Sequence, residues 1–208
     1  MIQIPDKKYK TIVIDPPWDI RSVGDGHNLK FQVKDKLPYG IQSDDELKVF
    51  PLNDFAADDC QLFLWITHTT LPLAMELLQI WGFKYHCIIT WDKTKGVVIC
   101  GVNRRTEMVL YAYKGKQDLK QHGVSLPTYF RENSTIHSRK PQLFYQMLCK
   151  STPEPRIDIF ARRKHQGFDA WGDQVENVLT IEDFKCPETA NPAGSKLLMV
   201  MRDAHIVN

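Results

Sequence analysis

Asp15-Pro16-Pro17-Trp18 is the segment of this chain whose residue types and order are best suited to chemistry. A carboxylate beside two prolines puts a charged acceptor and a backbone carbonyl on a turn that cannot relax, because each pyrrolidine ring fixes φ. Such a pair can accept the two hydrogens of an exocyclic amine, for instance the 6-amino group of adenine. The nitrogen is then drawn toward tetrahedral geometry, and a lone pair otherwise delocalised into the ring becomes available for attack. Asp15 would supply the carboxylate and Pro16 the carbonyl. Trp18 would stack on a base taken out of its helix, a contact worth about 1–3 kcal/mol. Read alone, the same four residues equally describe a rigid turn whose tryptophan fills the core.

The position of this segment follows from the elements around it. Lys10-Thr11-Ile12-Val13-Ile14 is a β-branched run that stops at the double proline, as a strand must. Gln61–Thr67, His86–Trp91, Glu107–Tyr113 and Arg156–Ala161 are similar runs, nearly continuous in hydrophobicity like buried parallel strands. Helical spacing lies between them. Ser43-Asp44-Asp45-Glu46 has the order of a capping box leading into Leu47 and Phe50. Leu73, Leu77, Leu78 and Trp81 share one face, which Gly82 can terminate. Pro141 suits a first turn, with Leu143, Phe144, Met147 and Leu148 behind it. The alternation predicts an α/β sandwich with a mostly parallel central sheet flanked by helices, whose strands carry ligands at their carboxyl ends. Arg21–Lys36 and Gly115–Thr135 read as loops. The stretch beyond Lys185 has no assigned element.

With 208 residues, the chain is expected to form one domain. Its net charge of +2 neither requires nor excludes a polyanionic partner, since a basic groove can sit on a near-neutral body. The first residues lack an apolar signal segment, and no run approaches the roughly 20 apolar residues of a membrane helix. Five cysteines without a CxxC pair, and histidines without HxH or HxxxH spacing, predict reduced thiols and no metal site. These features lead to the expectation of a soluble intracellular protein.

A series of ordered blocks resembles the MT-A70 family of adenine methyltransferases. They begin with Asp15-Pro16-Pro17-Trp18-Asp19-Ile20, Leu37-Pro38-Tyr39-Gly40 and Ser43-Asp44-Asp45-Glu46. They continue through Leu62–Thr67 with Trp81-Gly82-Phe83, then Ser138-Arg139-Lys140-Pro141, Ile159–Arg162 and Trp171-Gly172-Asp173-Gln174. The resemblance implies a single-domain Rossmann-like methyltransferase fold over residues 1–184, with permuted segment order and the catalytic strand first; residues 185–208 form an unassigned tail. It implies S-adenosyl-L-methionine as cofactor and methyl transfer to the 6-amino group of adenine in nucleic acid.

Residue by residue, the resemblance makes Asp15, Pro16, Pro17 and Trp18 the catalytic loop, with Asp15 also near the cofactor's methionine moiety. Tyr39 corresponds to a tyrosine of the acceptor-base pocket, and Glu107 to an acid near the reaction centre. Lys140, Phe160, Arg162, Gly172, Asp173 and Gln174 fall in cofactor-binding blocks. His165, in the basic run after Phe160, is expected at the cofactor as well. Arg104 and Arg105, just ahead of Glu107, are either phosphate contacts or a surface charge pair. No glycine-rich FxGxG loop is present, and Asp173 stands where asparagine is commoner. The compact chain, without an RNA-binding zinc finger, points to DNA rather than RNA. An RNA adenosine methyltransferase and a non-catalytic nucleic-acid-binding subunit are the alternatives. A homodimer or heterodimer is expected from the family's habit, and the cytoplasm of a bacterium or phage-infected cell as the setting.

Overall fold

Alternation along one strand divides the core in two. In β1 (Tyr9–Ile14), Ile12 and Ile14 pack with Leu62, Leu64, Leu77 and Trp81, whereas Val13 faces Phe63, Trp65, Phe144 and Leu148. Successive side chains of a strand point to opposite faces, so a strand covered on both sides reads as one apolar run. The structure is a computed structural model that describes residues 6–18, 43–99, 101–119, 123–133 and 139–172. The loop Arg21–Lys36, Tyr39, Ser138, Asp173, Gln174 and the tail lie outside the described residues.

After β1 come α1 (Asp44–Lys48), a short 3-10 turn, β2 (Ala56–Ile66), α2 (Leu71–Ile80), β3 (Lys84–Ile99) and β4 (Val102–Lys114). Then follow β5 (Tyr129–Arg131), α3 (Gln142–Ser151), β6 (Arg156–Ile159) and β7 (Asp169–Trp171). Among the described residues, seven strands form one sheet in the order β5-β3-β4-β2-β1-β6-β7. Residues of α1 and α2 enter one core cluster and residues of α3 the other, so helices cover both faces. This is the α/β architecture of Rossmann-like methyltransferases.

Local chemistry explains the boundaries. Ser43 and Glu46 form the anticipated reciprocal cap, with Ser43 N–H donating to Glu46 Oε2 at 2.7 Å and Glu46 N–H to Ser43 Oγ at 3.3 Å. At the end of α2, Gly82 takes φ +74. Its N–H donates to the Gln79 carbonyl at 3.1 Å, and that of Phe83 to Leu78 at 2.8 Å, which together satisfy the last carbonyls.

Three expectations change. The run Glu107–Tyr113 belongs to β4, which is antiparallel to both β2 and β3, while the other strand pairs are parallel. Hydrophobic continuity reports burial on both faces and carries no information on direction. β3 and β4 form a hairpin closing near Gly101, whose φ of +79 suits a tight turn. Second, β5 lies inside the expected loop Gly115–Thr135; three residues, of which only the central Phe130 is buried, are too few for a periodic signal. Third, the run Arg156–Ala161 ends as a strand at Ile159, because Phe160 turns to φ +60.

A Cβ added at Gly82 meets nothing within 4 Å, so only backbone strain opposes it. Gly82→Ala is expected to destabilise the fold by about 1 kcal/mol. A lower urea midpoint with an unchanged slope will show this.

Candidate functional site

From β1 the chain builds outward in one direction through β2, β4, β3 and β5, then returns to lay β6 and β7 on β1's other side. The cleft at the carboxyl ends of β1 and β6 is therefore the switch point of the sheet, where open α/β folds bind ligands. Ile14 pairs with Ile159 in parallel register, so Asp15 and Phe160 leave the sheet side by side. The Asp15 N–H donates to the Ile159 carbonyl at 3.4 Å.

The Asp-Pro-Pro-Trp turn is held from behind. Trp18 is 8 % exposed, and its indole N–H donates to the Trp65 carbonyl at 3.0 Å. It thus packs in the core and anchors the turn, as the rigid-turn reading of these four residues has it. A tryptophan at a strand end has the area to fill the core, and its N–H found a carbonyl there. The Pro16 carbonyl accepts the Trp18 N–H at 2.8 Å and retains its second lone pair. Pro16 is buried and Pro17 half-buried.

A line of alternating charge crosses the cleft. Lys140, just before α3, places Nζ 3.1 Å from Asp15 Oδ1 and 3.0 Å from Glu107 Oε2 on β4. Lys93 of β3 approaches the other Glu107 oxygen at 3.2 Å, and Arg162 stands 3.7 Å from Asp15 Oδ2. The Lys140 ammonium also lies 4.7 Å above the Trp65 ring, a cation–π contact. Burial raises the Asp15 carboxyl above its ordinary range, and Lys140 and Arg162 only partly offset this. Burial would also raise Glu107, but Lys140 and Lys93 outweigh it and hold that acid low. Burial disfavours the charge on Lys140, yet the two carboxylates prevail and raise it. The cleft therefore holds a fixed cation between two acids of unequal strength.

Behind Asp15, Asp158 of β6 is 3 % exposed and accepts a hydrogen bond from the Tyr145 hydroxyl at 2.9 Å. Burial pushes its carboxyl up to about 8. His165 stacks on Tyr145 with ring centroids 3.3 Å apart, and its Nε2 accepts from Arg163 Nε at 3.3 Å. Burial, then the charges of Arg163 and Arg139, lower this imidazole to about 3, so it is neutral with its proton on Nδ1. That buried Nδ1 has no partner among the described residues. A cavity of about 130 Å³ is lined by Asp15, Lys140, Asp158, Phe160, Arg162 and His165.

Phe160 holds the cavity floor in a left-handed conformation that costs a non-glycine residue roughly 1–2 kcal/mol. Its ring packs on Phe50 and Trp171, at 5.1 and 5.7 Å between centroids. Gly172 lies flat against this turn: a Cβ there would come within 2.8 Å of Ala161 N and clash with the Ala161 carbonyl. Its role in the structure is close backbone packing at the cavity.

The structure thus brings Asp15, Glu107, Lys140, Phe160, Arg162, His165 and Gly172 to one cleft or its walls. Arg105 is directed instead to Asp92, donating through Nε at 3.0 Å and Nη2 at 2.7 Å, and Arg104 sits half-exposed in β4 opposite Val97. Lys93, Tyr145 and Asp158 were missed. Asp158 had a signal, a lone carboxylate in the apolar run Arg156-Ile157-Asp158-Ile159; Lys93 and Tyr145 had none.

The donor set suits the sulfonium cofactor that the sequence blocks imply. Asp15 fits an ammonium, Lys140 and Arg162 a carboxylate, and the unpartnered His165 N–H a neutral acceptor. Among the described residues, no group of His, Cys, Asp and Glu could hold a metal ion, and no helix is long and apolar enough to cross a membrane.

A sequence profile of the MT-A70 family matches residues 9–174. The type II methyltransferase M.MunI of Mycoplasma sp is 29% identical over 194 residues, covering 86% of this chain and 83% of that protein. The N(6)-adenosine-methyltransferase MT-A70-like of Arabidopsis thaliana is 28% identical over 186 residues, with 84% and 25% covered. The human N(6)-adenosine-methyltransferase catalytic subunit METTL3 is 29% identical over 188 residues, with 84% and 30% covered. The chain therefore spans most of the bacterial relative and less than a third of the plant and human ones.

Asp158 yields a signed pH dependence. Unfolded, it ionises near its ordinary 3.8; folded, near 8. Between those values the folded state binds more protons, so the stability Asp158 contributes falls as pH rises and is gone above about 8. The stability of the wild type relative to Asp158→Asn should therefore decline between pH 5 and pH 9. Urea midpoints of both proteins at the two pH values measure it.

Proposed function

Because this chain belongs to the MT-A70 family, we propose that it transfers a methyl group from S-adenosyl-L-methionine to the 6-amino group of adenine in DNA. The observation that carries the reading is the Asp15 carboxylate at the switch point, beside the cavity and tied to Lys140 at 3.1 Å. S-adenosyl-L-methionine is the methyl donor of the family, and when bound it supplies a methyl group on a sulfonium, an electrophile that needs no metal.

The chain's own residues do the rest. Asp15 accepts one amine hydrogen and the free lone pair of the Pro16 carbonyl accepts the other, which localises the nitrogen lone pair. The alkylated nitrogen must shed a proton, and the raised Asp15 carboxyl is the acceptor within reach. Lys140 fixes the direction of Asp15 and, with Arg162, meets the amino-acid end of the cofactor. Phe160 and His165 line the nucleoside end, joined by Asp173 and Gln174 by family correspondence. Gly172 lets that wall close, Tyr39 is assigned to the acceptor base by family correspondence alone, and Glu107 holds Lys140 from the side opposite Asp15. Holding both reactants in line is the main source of acceleration.

Support for DNA comes from the match to a type II methyltransferase over most of both chains. The adenosine named for the plant and human relatives favours RNA as the second reading. A dimer follows the family's habit. Matched DNA and RNA oligonucleotides, incubated with labelled cofactor and analysed as nucleosides, test the proposal. Label is expected in 6-methyladenine of DNA, and Asp15→Ala should lower kcat by about 10²–10³. Label confined to RNA overturns the DNA assignment; none on either, with cofactor bound, overturns the activity.

The pH profile gives a second check. Activity requires the Asp15 carboxylate, so it is lost as pH falls through that group's pKa. The Lys140 charge lowers this pKa, so Lys140→Gln should move the acid limb of kcat/KM to higher pH. An unmoved limb would dissociate Lys140 from Asp15.

A further inference from the structure

Asp92 sits where β3 leaves regular pairing. The register passes from Asp92↔Thr106 to Val97↔Arg104, so Lys93 to Gly96 stand opposite Arg105 alone. Asp92 is 4 % exposed, and its carboxylate accepts from four residues. Arg105 donates through Nε at 3.0 Å and Nη2 at 2.7 Å, Arg131 through Nε at 3.0 Å, the Tyr129 hydroxyl at 3.0 Å and the Thr94 N–H at 2.8 Å.

Two backbone features serve the same spot. Thr94 takes φ +64, a left-handed conformation rare for a β-branched residue, and its hydroxyl reaches Asn133 at 2.7 Å. Gly96 passes so close to Arg105 that a Cβ would lie 2.7 Å from its Cα and its Cβ. The Arg105 backbone is thus fixed by the bulge, and its side chain by the acid. Strain of this kind persists where the surroundings over-determine it and clusters at sites of function.

The two guanidiniums remain open on their outer edges. Their side chains are 44% (Arg105) and 59% (Arg131) exposed. Each guanidinium has five N–H donors, and the bonds to Asp92 engage only part of them. Two cations on one acid leave a net positive charge. An exposed arginine normally loses rotamer freedom when it binds, but here Asp92 has already taken that freedom away. Forked N–H donors match phosphate oxygens in geometry as well as charge.

The location relates this pair to the reacting carboxylate. Arg105 precedes Glu107 by two residues of β4, about 7 Å of strand. Lys93, next to Asp92, bonds Glu107 at 3.2 Å, and Glu107 shares Lys140 with Asp15. A base drawn out to Asp15 keeps its own phosphates attached.

We propose that Arg105 and Arg131, braced by Asp92, form a preorganised seat for a backbone phosphate of the nucleic-acid strand flanking the target adenine. This rests on the methyl-transfer reading and names the contact that positions the acceptor strand.

Binding of fluorescent single-stranded oligonucleotides to the full chain, at 50 to 200 mM salt, tests it; DNA and RNA arms separate the two sources of phosphate. Each phosphate contact contributes about 0.7 to the slope of log K against log salt. Arg131→Gln and Arg105→Gln should each flatten that slope by about 0.7 and raise the oligonucleotide KM about tenfold, with cofactor affinity unchanged. Arg131→Lys, which keeps the charge, should keep the slope. Neutral methylphosphonate linkages beside the adenine should reproduce the loss in wild type and add nothing in Arg131→Gln. Unchanged slopes in both glutamine variants, with methylation intact, overturn this inference alone and leave the pair a structural brace. A wild type that binds cofactor but no oligonucleotide overturns both readings.

Discussion

The ammonium of Lys140 touches two carboxylates that come from strands on either side of β2, and much of the cleft is organised around that contact. Two acids this close repel each other and resist ionising together; one shared cation removes the conflict. The cation in turn needs a fixed origin. Glu132 accepts the N–H groups of Gln142 and Leu143 at 3.2 and 2.8 Å, satisfying two of α3's unpaired donors and locking its start. The Lys140 carbonyl accepts from Arg163 Nη2 at 3.0 Å, and the Trp65 ring underlies its ammonium. A half-buried lysine is thus positioned by backbone, helix and aromatic surface together. Removing such a central charge leaves two acids uncompensated, which is why a buried pair is costly to break though cheap to replace whole.

The second constraint is backbone geometry at the end of β6. Phe160 occupies a conformation that glycine would hold more easily, yet its ring closes an aromatic group with Phe50 and Trp171. Where methyltransferases with a glycine-rich turn let the main chain approach the ligand, this turn presents side chains. Gly172 restores the close approach from the neighbouring strand, with its missing Cβ on the Ala161 backbone. The cavity wall is built from two strand ends fitted face to face.

What the sequence made legible was whatever depends on local order. A β-branched run stopped by two prolines gives a strand end and an acid beyond it, and Ser43 with Glu46 gives a helix start. Features that depend on contacts between distant segments were not legible. β4 is buried on both faces like its parallel neighbours, so its reversal leaves no trace in composition. Trp18 has the same type whether it meets a base or the Trp65 carbonyl. The partner of Arg105 lies across a bulge that shifts the strand register, and no spacing rule spans such an irregularity. Asp158 stood out as a polar residue in an apolar strand, but its meaning came from Tyr145, thirteen residues earlier and on a helix.

The sheet is not equally firm across its width. β1 is bonded along both sides, to β2 and β6, while β5 and β7 at the margins are three residues long. Amides in the middle of such a sheet exchange with solvent only when the whole domain opens, whereas short marginal strands open on their own. Asp15 therefore follows directly on the strand that is held from both sides, whereas Arg131 lies at the margin of the sheet and depends on its bond to Asp92 to stay in place. Warming should therefore release the β5 margin, with Arg131 on it, before it disorders the strand end that carries Asp15.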